Sequence, residues 1–249
     1  MPISTSATSR VGNLVPSILT ILDTLMGSWL GLYTTTPMCG SSNFPLTDVI
    51  PSDPVSCFAA VDACMQKLGR IDVLFHNGAI LSPIVPVVDH DIDVFNKVIM
   101  TNLCGAFYLA KAVIPHMKLV GKGVIVNTAS ISGIGGDYGL SSYNAAKGGL
   151  INLTRTIAMD HARDGIRAVT VCPGFMDTPM SEGTLQNEKL REELFESIPM
   201  NRAGHPMEVA QLVLFLASDE ASYITGHRKE PHQEFVLIPF SADHMQLLL

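Results

Sequence analysis

The chain has 249 residues, of which 47% are apolar and 16% charged, and a formal net charge of −7. These values suit one folded domain with a sizeable core and exclude a disordered chain. The negative charge gives no electrostatic support to a nucleic-acid-binding role.

Residues 14–33 are mostly apolar, but Pro16, Ser17, Thr20, Asp23, Thr24 and Ser28 interrupt the run. Leu14, Ile18, Ile21, Leu22, Leu25 and Trp29 recur at helical spacing, which predicts a core-facing amphipathic helix in preference to a membrane anchor or signal segment. From about residue 46 strand and helix signals alternate, the pattern of a parallel sheet with helices on both faces. Ser52-Asp53-Pro54 predicts a helix start, and that helix stops near Gly69. Ile71–Phe75 reads as a strand, Asp91–Met117 as a long helix, and Gly123–Ala129 as a buried strand ending at Ser130. A helix over Ser142–Ala162, a strand over Arg167–Cys172 and a helix over Pro206–Ala217 complete the series, with a charged stretch at 182–197. The five cysteines (39, 57, 64, 104 and 172) are odd in number and form no C-x-x-C pair, so reduced, buried thiols are expected.

Chemistry concentrates on Tyr143-Asn144-Ala145-Ala146-Lys147, with Ser130 thirteen residues upstream. A Tyr-x-x-x-Lys pair puts a phenol and an ammonium on one helix face, and the ammonium field favours the phenolate. The expected result is a phenol that exchanges protons nearer neutrality than its ordinary pKa of about 10. Ser130 falls at the carboxyl end of its strand, where open α/β sheets place ligands. Taken singly, the pair also fits a solvated helix surface, Ser130 a cap, and Asn102 a mid-helix residue satisfying backbone groups. Asp89-His90-Asp91 with Asp93 suggests a metal site at first sight; acidic residues at a helix start are the better reading, so no metal is expected.

In order and spacing these residues resemble the short-chain dehydrogenase/reductase family over about residues 46–226. The family's Asn-Ser-Tyr-Lys tetrad falls on Asn102, Ser130, Tyr143 and Lys147. Pro173-Gly174-Phe175-Met176-Asp177-Thr178, thirty residues past the tyrosine, resembles the family's Pro-Gly segment. Ile198–Arg202, Glu208-Val209-Ala210, Phe215–Ser218 and Tyr223–Gly226 resemble its carboxyl-terminal half.

The resemblance implies a doubly wound parallel sheet of the Rossmann type and an oxidoreductase that uses NAD or NADP. Tyr143 would exchange a proton with the substrate oxygen, Lys147 would lower the tyrosine's pKa and hold the nicotinamide ribose, and Ser130 would orient the oxygen. Asn102 would hold a water-linked proton path. Asp48, Val49, Asn77, Gly78, Ala79, Pro173, Gly174, Met176 and Thr178, with Tyr143 and Lys147, would line the cofactor. The implied partners are a small alcohol or ketone and further copies of the chain, as a cytoplasmic homodimer or homotetramer, with neither nucleic acid nor membrane.

Departures from the family lie at both ends, so the chain divides into an atypical segment 1–45, a core 46–226 and an atypical tail 227–249. The family's Thr-Gly-x-x-x-Gly-x-Gly turn is missing; Thr5–Gly12 keeps only its threonine and last glycine. Asn-Asn-Ala-Gly appears as His76-Asn77-Gly78-Ala79, which predicts a hydrogen-bonded core histidine and backbone strain if Ala79 needs a positive φ. The alternative function is a non-catalytic relative that cannot hold a dinucleotide and acts only through subunit association.

Overall fold

A computed structural model describes residues 49–226 and the backbone of two further strands, β1 (Ile18–Ile21) and β2 (Met38–Cys39). β3 (Val73–His76), β4 (Gly123–Thr128) and β5 (Ile166–Val171) complete a parallel sheet in the order β2-β1-β3-β4-β5. Ile18 pairs with Val73 and Ile21 with His76, so β1 is an inner strand. The helix expected over 14–33 is therefore wrong at Ile18–Ile21. A run of four apolar and β-branched residues fits either period, and parallel pairing with β3 decides it.

Side chains alternate across the sheet and build a core on each face. Val73, Phe75, Val124, Val126, Val169 and Val171 pack against Val213, Leu216 and Ala217 of α7 (Pro206–Ala217). On the opposite face Leu74, Ile125 and Ala168 pack with Val61 and Cys64 of α1 (Pro54–Leu68) and with Leu109, Val113 and Met117 of α3 (Gly105–Val120). Asp53 caps α1 by accepting from Val55 N–H and Ser56 N–H, and Gly69 ends it in the left-handed region at φ 75°.

The long helix expected over Asp91–Met117 is α2 (Ile92–Ile99), a π turn (Met100–Cys104) and α3. Asp91 caps α2 by accepting from Val94 N–H at 2.9 Å, so the acidic cluster marks a helix start. α4 (Ser141–His161) crosses the same face as α3. Two short helices, α5 (Glu182–Gln186) and α6 (Glu188–Ser197), occupy the charged stretch before α7. Arg167 on β5 donates to the carbonyls of Leu216, Ser218 and Ile224, which fastens the end of α7 to the sheet.

The cysteines correct one expectation. Cys57 and Cys104 are free thiols, but Cys64 is disulfide-bonded. Folding brings together cysteines that sequence spacing keeps apart.

Candidate active site

β3, β4 and β5 run parallel and in register, so their carboxyl ends open on one edge of the sheet. Ser130 leaves β4 at that edge. Its hydroxyl accepts from Ser132 N–H at 3.1 Å, donates to Ser132 Oγ at 3.0 Å and also meets the Tyr143 phenol. The loop then presses on α4. A Cβ on Gly133 would sit 2.6 Å from the Lys147 carbonyl carbon and 2.8 Å from Gly148 N, so only glycine permits this approach.

Tyr143 and Lys147 lie one turn apart on α4, with Lys147 Nζ 5.6 Å from the tyrosine ring centroid. Nζ donates to the Thr128 carbonyl at 2.7 Å, which anchors the ammonium to the end of β4. Lys147 is 1% exposed, and burial lowers its pKa to about 8, so it stays charged at neutral pH. Burial pushes the Tyr143 phenol up to about 12; its hydrogen bond with Ser130 pulls downward and Asp137 pushes further up. The expected lysine-lowered phenol is thus corrected. Desolvation of the phenolate outweighs the other influences, and Tyr143 is a protonated acid at neutral pH.

Asn102 sits in the π turn, fully buried. Its Oδ1 accepts from Ile80 N–H and its Nδ2 donates to the Ile80 carbonyl, both at 2.9 Å. That two-way bond fixes the chain leaving β3. Just before it, His76 ends β3 fully buried, with neither ring nitrogen hydrogen-bonded among the described residues. The hydrogen-bonded core histidine expected here is therefore corrected: burial, reinforced by the Lys147 charge, lowers its pKa to about 3 and keeps it neutral. Asn77, Gly78 and Ala79 follow, and Gly78 is buried. Ala79 carries no positive φ, since Asn201 is the one such non-glycine residue among those described, so the anticipated strain is absent.

Past β5, buried Pro173 accepts from Ile131 N–H at 3.2 Å, tying this segment to the Ser130 loop. Gly174 follows, and Met176 bridges to Gly204. Thr178 opens a short helical turn in which Ser181 Oγ accepts from Thr178 N–H at 3.0 Å and donates to the Met176 carbonyl at 2.6 Å.

The strand-edge residues suit the nicotinamide half of a dinucleotide. Lys147 spends one N–H on Thr128 and keeps others for hydroxyl acceptors, Thr128 Oγ1 is buried without a partner among the described residues, and Gly78 presents no side chain. The pyrophosphate half differs. A dinucleotide turn follows the first strand, whereas Thr5–Gly12 precedes β1, so that segment is on the wrong side of the strand. Leu22–Gly31, which does follow β1, holds only Gly27 and Gly31 and lies outside the described residues. Asp48 lies outside them too, while Val49 packs on the core.

Two polar ties carry no sequence signal. Asn127 Nδ2 donates to Thr154 Oγ1 at 2.9 Å, and His90 Nε2 lies 3.1 Å from Ser142 Oγ across 52 residues of sequence.

The comparisons agree with this geometry. Residues 42–229 match a family model described as enoyl-(acyl carrier protein) reductase. Meso-2,3-butanediol dehydrogenase of Serratia marcescens is 42% identical over 175 residues, covering 70% of this chain and 68% of its own length. The crystal structure of levodione reductase superposes with a TM-score of 0.69 at 37% identity, over 71% of this chain and 70% of the other. NAD+-bound xylitol dehydrogenase gives 0.66 at 32% identity, over 71% and 73%. With Ser130, Tyr143 and Lys147 gathered at the edge of a parallel sheet, these matches establish that the chain belongs to the short-chain dehydrogenase/reductase family of NAD- or NADP-dependent oxidoreductases acting on CH–OH groups.

Proposed function

We propose that the protein interconverts a secondary alcohol and a ketone, with Tyr143 as the proton donor and acceptor. The observation that carries the reading is the Tyr143–Lys147–Ser130 arrangement at the strand edge: a buried acid, a buried cation beside its ring and a hydroxyl that meets it. A bound dinucleotide supplies or takes the hydride. In the reducing direction Ser130 orients the carbonyl oxygen and Tyr143, protonated at neutral pH, gives that oxygen its proton. In the oxidising direction Tyr143 must first lose its proton, and the Lys147 charge stabilises the phenolate so formed. Asn102 keeps the loop after β3 in place while this happens.

Exposed Ile134, Tyr138 and Met180, on the segments that follow Ser130 and Thr178, support an apolar alcohol or ketone as substrate. Exposed Phe107 on α3 and Met159 on α4 support subunit association through the two long helices. We place the protein in the cytoplasm, by analogy with its family. As part of this reading we keep a core at 46–226 between an atypical segment 1–45 and an atypical tail 227–249.

Tyr143→Phe tests the reading. Turnover of a ketone with NADH or NADPH should fall by about 10²–10⁴-fold while dinucleotide affinity is unchanged; retained activity refutes the proton-transfer role. A second reading, a non-catalytic subunit, is favoured by one observation: the residues after β1 contain no Thr-Gly-x-x-x-Gly-x-Gly turn. A wild-type chain that binds no dinucleotide would establish that second reading.

A further inference from the structure

A side chain at the N-cap position commonly fastens the first turn of a helix by accepting from its free backbone N–H groups. In α4, Leu140 occupies the N-cap position and makes no side-chain cap bond, and Ser141 Oγ is buried without a partner among the described residues. Yet Tyr143 sits within this first turn. The turn is held from outside. His90 Nε2 lies 3.1 Å from the hydroxyl of Ser142, the residue next to Tyr143, and Ser142 is fully buried.

The imidazole is itself fixed. Nδ1 lies 3.0 Å from the Asp91 carbonyl, and a carbonyl only accepts, so Nδ1 carries the hydrogen. The other ring nitrogen, Nε2, faces the Ser142 hydroxyl. Phe95 of α2 meets the ring edge-on at 5.8 Å. A second strut joins the same two regions: Val85 N–H donates to the Gly139 carbonyl at 3.0 Å, and a Cβ on Gly139 would sit 2.7 Å from Ile84 Cγ2. The segment leading into α2 therefore braces the approach to α4.

We propose that His90 is a positioning residue for Tyr143: by holding the Ser142 side chain from across the site it steadies the first turn of α4, whose N-cap position makes no side-chain bond. The bond runs between side chains far apart in sequence, so it couples the seat of the phenol to the loop between β3 and α2. The proposal rests on the reading of Tyr143 as proton donor, but its test does not need turnover.

The experiment uses the full chain and the variants His90→Ala, His90→Gln, Ser142→Ala and the His90→Ala/Ser142→Ala double variant. Amide hydrogen exchange is followed at 141–145, with α7 as an internal control. His90→Ala should speed exchange in 141–145 by about five-fold or more, the equivalent of one hydrogen bond, and leave α7 unchanged. His90→Gln, which keeps a polar group at that reach, should restore part of the protection. The double variant should be no worse than either single one, because the two side chains act through one bond. Phenolate absorbance, taken as the difference from Tyr143→Phe, should show the Tyr143 midpoint falling from about 12 towards its free value of about 10 in His90→Ala as water reaches the ring. Unchanged exchange, additive single effects or an unmoved Tyr143 midpoint overturns the proposal. If the wild type turns over no ketone, the proposed function fails, while exchange and absorbance still decide the role of His90.

Discussion

Lys147 Nζ lies 5.6 Å from the centre of the Tyr143 ring and is pinned by the Thr128 carbonyl at 2.7 Å. The cation is therefore held by β4 while it faces a phenol on α4. The position of the ammonium is thus set by the end of a strand rather than by the flexibility of a long side chain.

Holding an ammonium in the interior has a cost that depends on pH. Lys147 has its folded pKa depressed from 10.5 to about 8, so between these values the unfolded chain binds more protons than the folded one. Stability attributable to this group therefore rises with pH from about 8 to 10.5, by up to about 1.4 kcal/mol per pH unit. Lys147→Met should remove that rise, as measured by urea unfolding of both proteins across this range. Parallel curves would contradict it.

His76 shifts the acid side. Its folded pKa is lowered from 6.5 to about 3, so the unfolded chain gains a proton in this window that the folded chain refuses. Stability from this residue is present above about pH 6.5 and is lost as pH falls towards 3. His76→Asn should flatten the acid limb of a melting-temperature profile, with the difference from wild type growing as pH drops. An equal loss in both proteins would show that His76 is not the titrating group.

Gly133→Ala brings a methyl group against α4 backbone at 2.6 Å, where no side-chain rotation can relieve it. The loop that carries Ser130 must lift from Lys147. We expect about 1–3 kcal/mol of lost stability in urea unfolding, together with a drop in kcat larger than any change in dinucleotide affinity.

Asn102→Ala should cost about 2 kcal/mol, because both hydrogen bonds to Ile80 are lost together. Asn102→Asp separates the two: it keeps the acceptor for Ile80 N–H but sets an oxygen against the Ile80 carbonyl. It should be at least as damaging as alanine in the same unfolding measurement.

Much of this was legible in the sequence, for local reasons. The Asp53-Pro54 start and Gly69 stop of α1 depend on residues next to one another, and the boundaries of α7 follow from a proline and an apolar period. Tyr143 and Lys147 share a helix, so their proximity follows from helical geometry. What sequence patterns misjudge is decided by tertiary context. Ile18–Ile21 carries a helix-compatible pattern but pairs with β3. The Tyr143 phenol moves up because burial opposes ionisation, a quantity that no neighbouring residue reveals. The Asn102–Ile80 and His90–Ser142 bonds join residues 22 and 52 apart. The empty hydrogen-bonding positions of His76 belong to the same class.

The proposed chemistry requires the strand edge that holds Lys147 to seat a dinucleotide despite the missing glycine-rich turn. Fluorescence titration of the purified full chain with NADH and with NADPH measures this directly. Saturable binding of at least one of them, weakened by Lys147→Met, is the predicted result. No binding of either at millimolar concentration would contradict it.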